Sequence, residues 1–174
     1  MGRPKALLEW RGETFLERLA RIVATHCREY VIVTGAHDRE LREALPQLAS
    51  RMRKNENFEM GQFSSLQRGL RALPAEASVL YWPVDFGAVS EETVRVVCAA
   101  EGAGLVKPTY QGKSGHPVLF GAEALRVLRG APVEANAKEL LTPMTALKIA
   151  VDDAACVHDV DTPEDYRWLS EVLR

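Results

Sequence analysis

Two short runs rich in β-branched and aromatic residues set the architecture this chain can adopt. Tyr30-Val31-Ile32-Val33-Thr34-Gly35 stops at a glycine, and Ser78-Val79-Leu80-Tyr81-Trp82-Pro83-Val84-Asp85 ends with a proline and an acid. Neither alternates cleanly between apolar and polar residues, so both read as strands buried on two faces. Helical patterns surround them. Phe15, Leu16, Leu19, Ile22 and Val23 recur at helical spacing and predict a helix from Glu13 to about Cys27. His37 to Leu45 and Leu66 to Leu73 read as helices stopped by Pro46 and Pro74, with a short edge strand from Ser50 to Lys54 between them.

The second half continues the alternation. Ser90 stands as N-cap before Glu91 and Glu92, and that helix runs to Glu101. Leu105 to Tyr110 and His116 to Phe120 read as strands around a turn carrying Gly112 and Gly115. A helix from Ala122 to Arg129, a strand from Leu147 to Val151, and a last helix capped by Thr162 with Pro163 at its first position complete the chain. Strands alternating with helices imply an α/β fold, a mostly parallel sheet with helices on both faces, in a single domain over residues 1–174.

Composition excludes several classes of function. Acids outnumber bases to give a net charge of -2, so no basic excess points to nucleic acid. No apolar run approaches the ~20 residues that span a bilayer, and no signal peptide is legible. Cys27, Cys98 and Cys156 lie far apart and form no C-x-x-C, so neither a disulfide framework nor a zinc site is indicated. The expectation is a cytoplasmic protein without nucleic-acid or membrane partners.

In open α/β sheets ligands sit beyond the carboxyl ends of the strands. Thr34 and Gly35 stand there after the first strand and Asp85 after the second, while Asp159 and Asp161 precede the last helix. Carboxylates from separate elements meeting in one cleft make a hard, oxygen-rich site suited to Mg²⁺. The alternative is that Asp85 caps a loop and Asp159 and Asp161 only favour the following helix N-terminus.

Five blocks in order resemble the MobA-like nucleotidyltransferases. Met1-Gly2-Arg3-Pro4-Lys5-Ala6-Leu7-Leu8 is similar to the second half of the family signature L-A-A-G-x-S-x-R-M-G-x-P-K-x-L-L. Asn55 to Leu66 resembles N-x-x-W-x-x-G-M-x-S-S-L, and Asp85-Phe86-Gly87 stands where the family has D-x-P. Gly115-His116-Pro117-Val118-Leu119-Phe120 and Asp159-Val160-Asp161-Thr162-Pro163-Glu164-Asp165-Tyr166 match the remaining two blocks. The S-S-L and G-H-P-V-L-F blocks favour the molybdenum-cofactor cytidylyltransferase branch.

The resemblance implies an Mg²⁺-dependent nucleotidyltransferase that moves CMP from CTP to a molybdopterin-type phosphate and releases pyrophosphate. It implies Lys5 on the triphosphate and Asp85 on Mg²⁺, with Asp161 or Asp159 as second ligand and Asp161 favoured. Gly61, Ser64 and Ser65 would lie near the base, and Gly115 and His116 on the acceptor side. Plainer readings are a solvated Lys5 and a His116 that holds a turn. Two departures stand out. The strand and glycine-rich phosphate turn that open the family signature would precede Met1, so the sheet is expected to lack its first strand and CTP to bind weakly. Gly87 replaces the proline, which is expected to loosen the loop after Asp85. Competing functions are a non-catalytic binding or assembly relative and a transferase for another phosphorylated acceptor. Without the first strand, the segments Tyr30–Thr34 and Ser78–Val84 are expected to pair directly or to self-associate through their exposed edges.

Overall fold

The protein is described by a computed structural model covering residues 4–172. Met1, Gly2 and Arg3, which open the first motif block, lie outside the described residues. Lys5–Leu7 form one 3₁₀ turn, followed by a hairpin of β1 (Glu9–Trp10) and β2 (Glu13–Thr14). Its two-residue turn puts Arg11 and Gly12 at φ 52° and 86°, the left-handed conformation that such turns need. Helix α1 (Phe15–His26) starts later than its apolar spacing predicts, because Thr14 and Glu17 form a capping box. The Glu17 N–H donates to Thr14 Oγ1 at 3.2 Å and the Thr14 N–H donates back to Glu17 Oε2 at 3.0 Å.

Strand β3 (Ile32–Thr34) leads through α2 (Asp38–Ala44) and a 3₁₀ stretch, Pro46–Arg51, to β4 (Met52–Lys54), which pairs with it in parallel. Helix α3 (Gln62–Leu70) precedes β5 (Val79–Tyr81), and α4 (Glu91–Cys98) precedes β6 (Leu105–Tyr110). Then come β7 (Lys113–Ser114), β8 (Val118–Phe120), α5 (Ala122–Gly130), α6 (Ala137–Leu141), β9 (Leu147–Ala150) and α7 (Pro163–Val172). The larger sheet is mixed: β8 lies between β5 and β6, antiparallel to both, and β9 joins β6 in parallel. Helices cover both faces. Leu66 and Leu70 of α3 meet Leu125 and Leu128 of α5 in one core, and Val97 of α4 meets Val106 and Leu119 in another. No helix among the described residues is long and apolar enough to cross a membrane.

Of the two expected outcomes for the long apolar segments, direct pairing or self-association, direct pairing does not occur. Among the described residues β3 bonds only to β4, and β5 only to β8. A cavity of about 1160 Å³ separates them, walled by Leu19 and Val23 of α1, Leu66 and Leu70 of α3, and Val33 and Leu80 of the strands. Ala6 and Leu7 sit in one apolar cluster with Ile32 at the start of β3, Leu41 of α2 and Val84 of the loop after β5.

Candidate active site

Lys5 is the centre of the site. Its ammonium lies 3.2 Å from Asp85 Oδ1 and forms a closer ion pair with Asp161 Oδ1. Partial burial opposes the charge on Lys5, but the hydrogen bond it donates to Asp161 and the attraction of Asp85 outweigh it and raise its pKa. Three elements far apart in sequence supply the trio: the 3₁₀ turn at Lys5–Leu7, the loop after β5, and the segment before α7. They are tied by backbone. The Val160 N–H donates to Asp85 O at 2.9 Å, and the Val160 side chain is buried in the cluster that holds Phe15 and Leu169. With Val160 turned inward, Asp161 reaches Lys5. Asp159 is exposed, and its charge acts on His116 instead.

The loop after β5 is fixed, contrary to the loosening expected from Gly87. Trp82 Nε1 donates to Phe86 O at 3.0 Å, and the Phe86 N–H donates to Pro83 O at 3.1 Å. Gly87 has φ -64°, which any residue can adopt. Its lack of a side chain serves close approach, since a Cβ there would lie 2.2 Å from Phe15 Cγ, and Phe15 is fully buried. The glycine therefore lets the Asp85 loop press onto α1.

Gly61, Ser64 and Ser65 stand at the start of α3. Gly61 is exposed at φ 98°, a backbone conformation that favours glycine. The Ser64 hydroxyl is buried and committed: it accepts from Asn55 Nδ2 at 2.8 Å and donates towards the Gly61 and Asn57 carbonyls. Ser64 thus holds the loop before α3, and Ser65, half-buried and lining the large cavity, is the serine a ligand can meet. Asn55, which sequence reasoning placed in a motif without a role, organises both hydroxyls and also accepts from the Asn57 N–H at 3.1 Å. Its value is visible only in three dimensions, because its partners lie nine and ten residues away.

Gly115 is buried against the backbone of Cys156 and the side chain of Val157, where a Cβ would fall 1.8 Å from Cys156 O. It is a packing glycine that seats His116, whose N–H donates to Cys156 O at 2.8 Å. The His116 ring is tilted against Phe86 at 4.4 Å between centroids and meets Tyr81 edge-on at 5.9 Å. Burial, then the charge of Lys107, push its pKa down to about 4, with Asp159 opposing. His116 is therefore neutral at pH 7 and can both donate and accept a hydrogen bond beside the Asp85 loop.

The lysine between two carboxylates and the start of α3 thus border one cavity, and a neutral histidine packs beside it against Tyr81 and Phe86. The family profile of the MobA-like NTP transferase domain matches residues 1–151. The chain belongs to this family. Among curated relatives, the molybdenum cofactor cytidylyltransferase of Escherichia coli (strain K12) is 23% identical over 167 residues, 95% of this chain and 86% of the relative. A crystal structure of Rv0371c from Mycobacterium tuberculosis H37Rv in complex with manganese has TM-score 0.79 at 23% identity, covering 97% of this chain and 92% of that one. Molybdopterin-guanine dinucleotide biosynthesis protein A from Archaeoglobus fulgidus has TM-score 0.67 at 15% identity, covering 99% and 91%.

As a MobA-like nucleotidyltransferase, the chain acts on a nucleoside triphosphate, and the trio sets one ammonium against two carboxylates at the edge of its cavity. No group of three or more His, Cys, Asp or Glu side chains among the described residues forms a complete metal cage. Two carboxylates converging on one cation suit a hard dication that takes its remaining ligands from phosphate and water.

Proposed function

We propose that this chain transfers CMP from CTP to a phosphate on a molybdopterin-type acceptor. An acceptor phosphate oxygen attacks the α-phosphorus, the bond from that phosphorus to the β-phosphate bridging oxygen breaks, and pyrophosphate leaves. The observation that carries the reading is the convergence of Asp85 and Asp161 on the Lys5 ammonium. The cytidylyltransferase similarity over 95% of the chain supports the choice of base and acceptor.

Asp85 and Asp161 would hold Mg²⁺, which supplies charge neutralisation to the triphosphate when bound. Lys5 then turns from the carboxylates to the phosphates, moving one positive charge to where negative charge develops. Gly61 and Ser65, at the start of α3, border the base. His116, held neutral, orients the acceptor through a hydrogen bond rather than through charge, with Gly115 fixing its backbone. Asp159 is a second-choice ligand, available from the same segment.

Incubation with molybdopterin, Mg²⁺ and each nucleoside triphosphate, followed by mass spectrometry, tests the proposal. A cytidine dinucleotide product with CTP is expected. A product with GTP alone would refute the base assignment, and absence of pyrophosphate release with every nucleotide would refute the transfer. The open cavity beside the trio favours one other reading, a nucleotide-binding module that does not turn over. That reading predicts CTP binding with no product.

A further inference from the structure

Lys107 on β6, Lys148 on β9 and Lys138 on α6 converge on a second cavity, of about 580 Å³, away from the Lys5 trio. Lys107 and Lys148 are paired in register across the parallel ladder, so two like charges sit side by side. No carboxylate lines the cavity. None of the three lysines has an ion pair among the described residues, whereas Lys5 and Lys54 are both paired with acids. This happens in a chain with more acids than bases, so the cluster does not reflect a generally basic surface. Lys107 is half-buried, and burial together with the charges of Lys138 and Lys148 lowers its pKa. Three mutually repelling ammonium groups around one hollow carry an electrostatic cost that an anion would remove.

The rest of the lining narrows the ligand. Ser114 and Thr145 add hydroxyl groups at the wall, and Leu105, Leu141 and Met144 give the hollow an apolar side. Ammonium groups and hydroxyls together suit a tetrahedral oxyanion, and the apolar side suits a carbon body attached to it. We infer that this cavity is a phosphate site, built from Lys107, Lys138 and Lys148, that takes a phosphate monoester. The site adjoins the His116 segment, since the Gly115 N–H donates to Pro108 O at 2.9 Å, one residue along β6 from Lys107. It is separate from the Lys5 centre, and the inference stands without the transfer reaction.

Calorimetry with inorganic phosphate and with phenyl phosphate at fixed ionic strength tests it directly on the full chain. Saturable binding to the wild type is expected. Lys138→Met/Lys148→Met should weaken it at least about tenfold, as two charge-assisted contacts are removed. Both positions are exposed, so this pair of substitutions leaves the core untouched. Lys5→Met should leave binding at this site intact. Tighter binding of phenyl phosphate than of inorganic phosphate is expected from the apolar side of the cavity, and equal or weaker binding would overturn the monoester assignment. Absence of saturable binding, unchanged affinity in the double variant, or loss of all binding in Lys5→Met would overturn the phosphate site itself.

Discussion

Replacing Gly115 by alanine should displace His116, the residue proposed to orient the acceptor, while leaving the Lys5 trio alone. A Cβ at this position would lie 1.8 Å from Cys156 O and 2.5 Å from Cys156 C. Both are backbone atoms and cannot swing aside, so the two segments must part by more than an ångström. That separation breaks the 2.8 Å bond from the His116 N–H to Cys156 O and strains the 2.9 Å bond from the Gly115 N–H to Pro108 O. Overpacking of this kind costs about 1–3 kcal/mol, and a buried donor left unpaired costs about 1–3 kcal/mol more. A loss of about 2–6 kcal/mol is therefore expected in urea denaturation, with displacement of the His116 ring from Phe86 visible in NMR spectra. A change below about 0.5 kcal/mol would refute the reasoning, because a clash of this depth has no cheap escape.

Gly87→Ala should destabilise by a comparable route, since its Cβ would meet the fully buried Phe15 ring at 2.2 Å; an unchanged urea midpoint would contradict that. His116 gives a pH dependence. Its folded pKa of about 4 lies below the ordinary His value of ~6.5, so its contribution is complete above pH ~6.5 and is lost as pH falls towards 4, amounting to about 3 kcal/mol. Urea denaturation at pH 7 and pH 4.5 should show this drop in the wild type and a smaller one in His116→Gln; equal drops would remove His116 as its source. Asn55→Ala should cost about 1–3 kcal/mol and weaken CTP binding, because it removes the amide donor that Ser64 and Ser65 share; calorimetry showing wild-type affinity would separate that loop from the nucleotide site.

Legibility in the sequence followed the range of the interactions. Local signals were plain. Thr162, Pro163 and Asp165 mark the start of α7, and in the fold the Asp165 carboxylate accepts from the Thr162 N–H at 2.7 Å. The residues of the central trio could be read from motif blocks, and the structure brings Lys5, Asp85 and Asp161 together while leaving Asp159 exposed. Non-local chemistry was not readable. The burial of Ser64, the organising part of Asn55 and the contact that requires Gly87 each depend on side chains brought in by folding. Strand β2 was absorbed into the predicted first helix, because Glu13 and Thr14 suit a helix start as well as a strand, and its partner β1 was not read at all. The gap between β3 and β5 was the opposite case: two apolar segments suggested direct pairing or self-association, and in the fold each bonds to a different neighbour, β4 and β8.

The central claim is that Asp85, with Asp161, holds the metal that accompanies the triphosphate. Titration of Mn²⁺ followed by electron paramagnetic resonance, with CTP present and absent, measures this without requiring turnover. The account predicts that CTP tightens Mn²⁺ binding to the wild type, and that Asp85→Asn weakens the ternary complex by at least about tenfold, an amide being a poorer ligand than a carboxylate for a hard cation. Identical Mn²⁺ and CTP affinities in the wild type and Asp85→Asn, with the fold intact by circular dichroism, would contradict it.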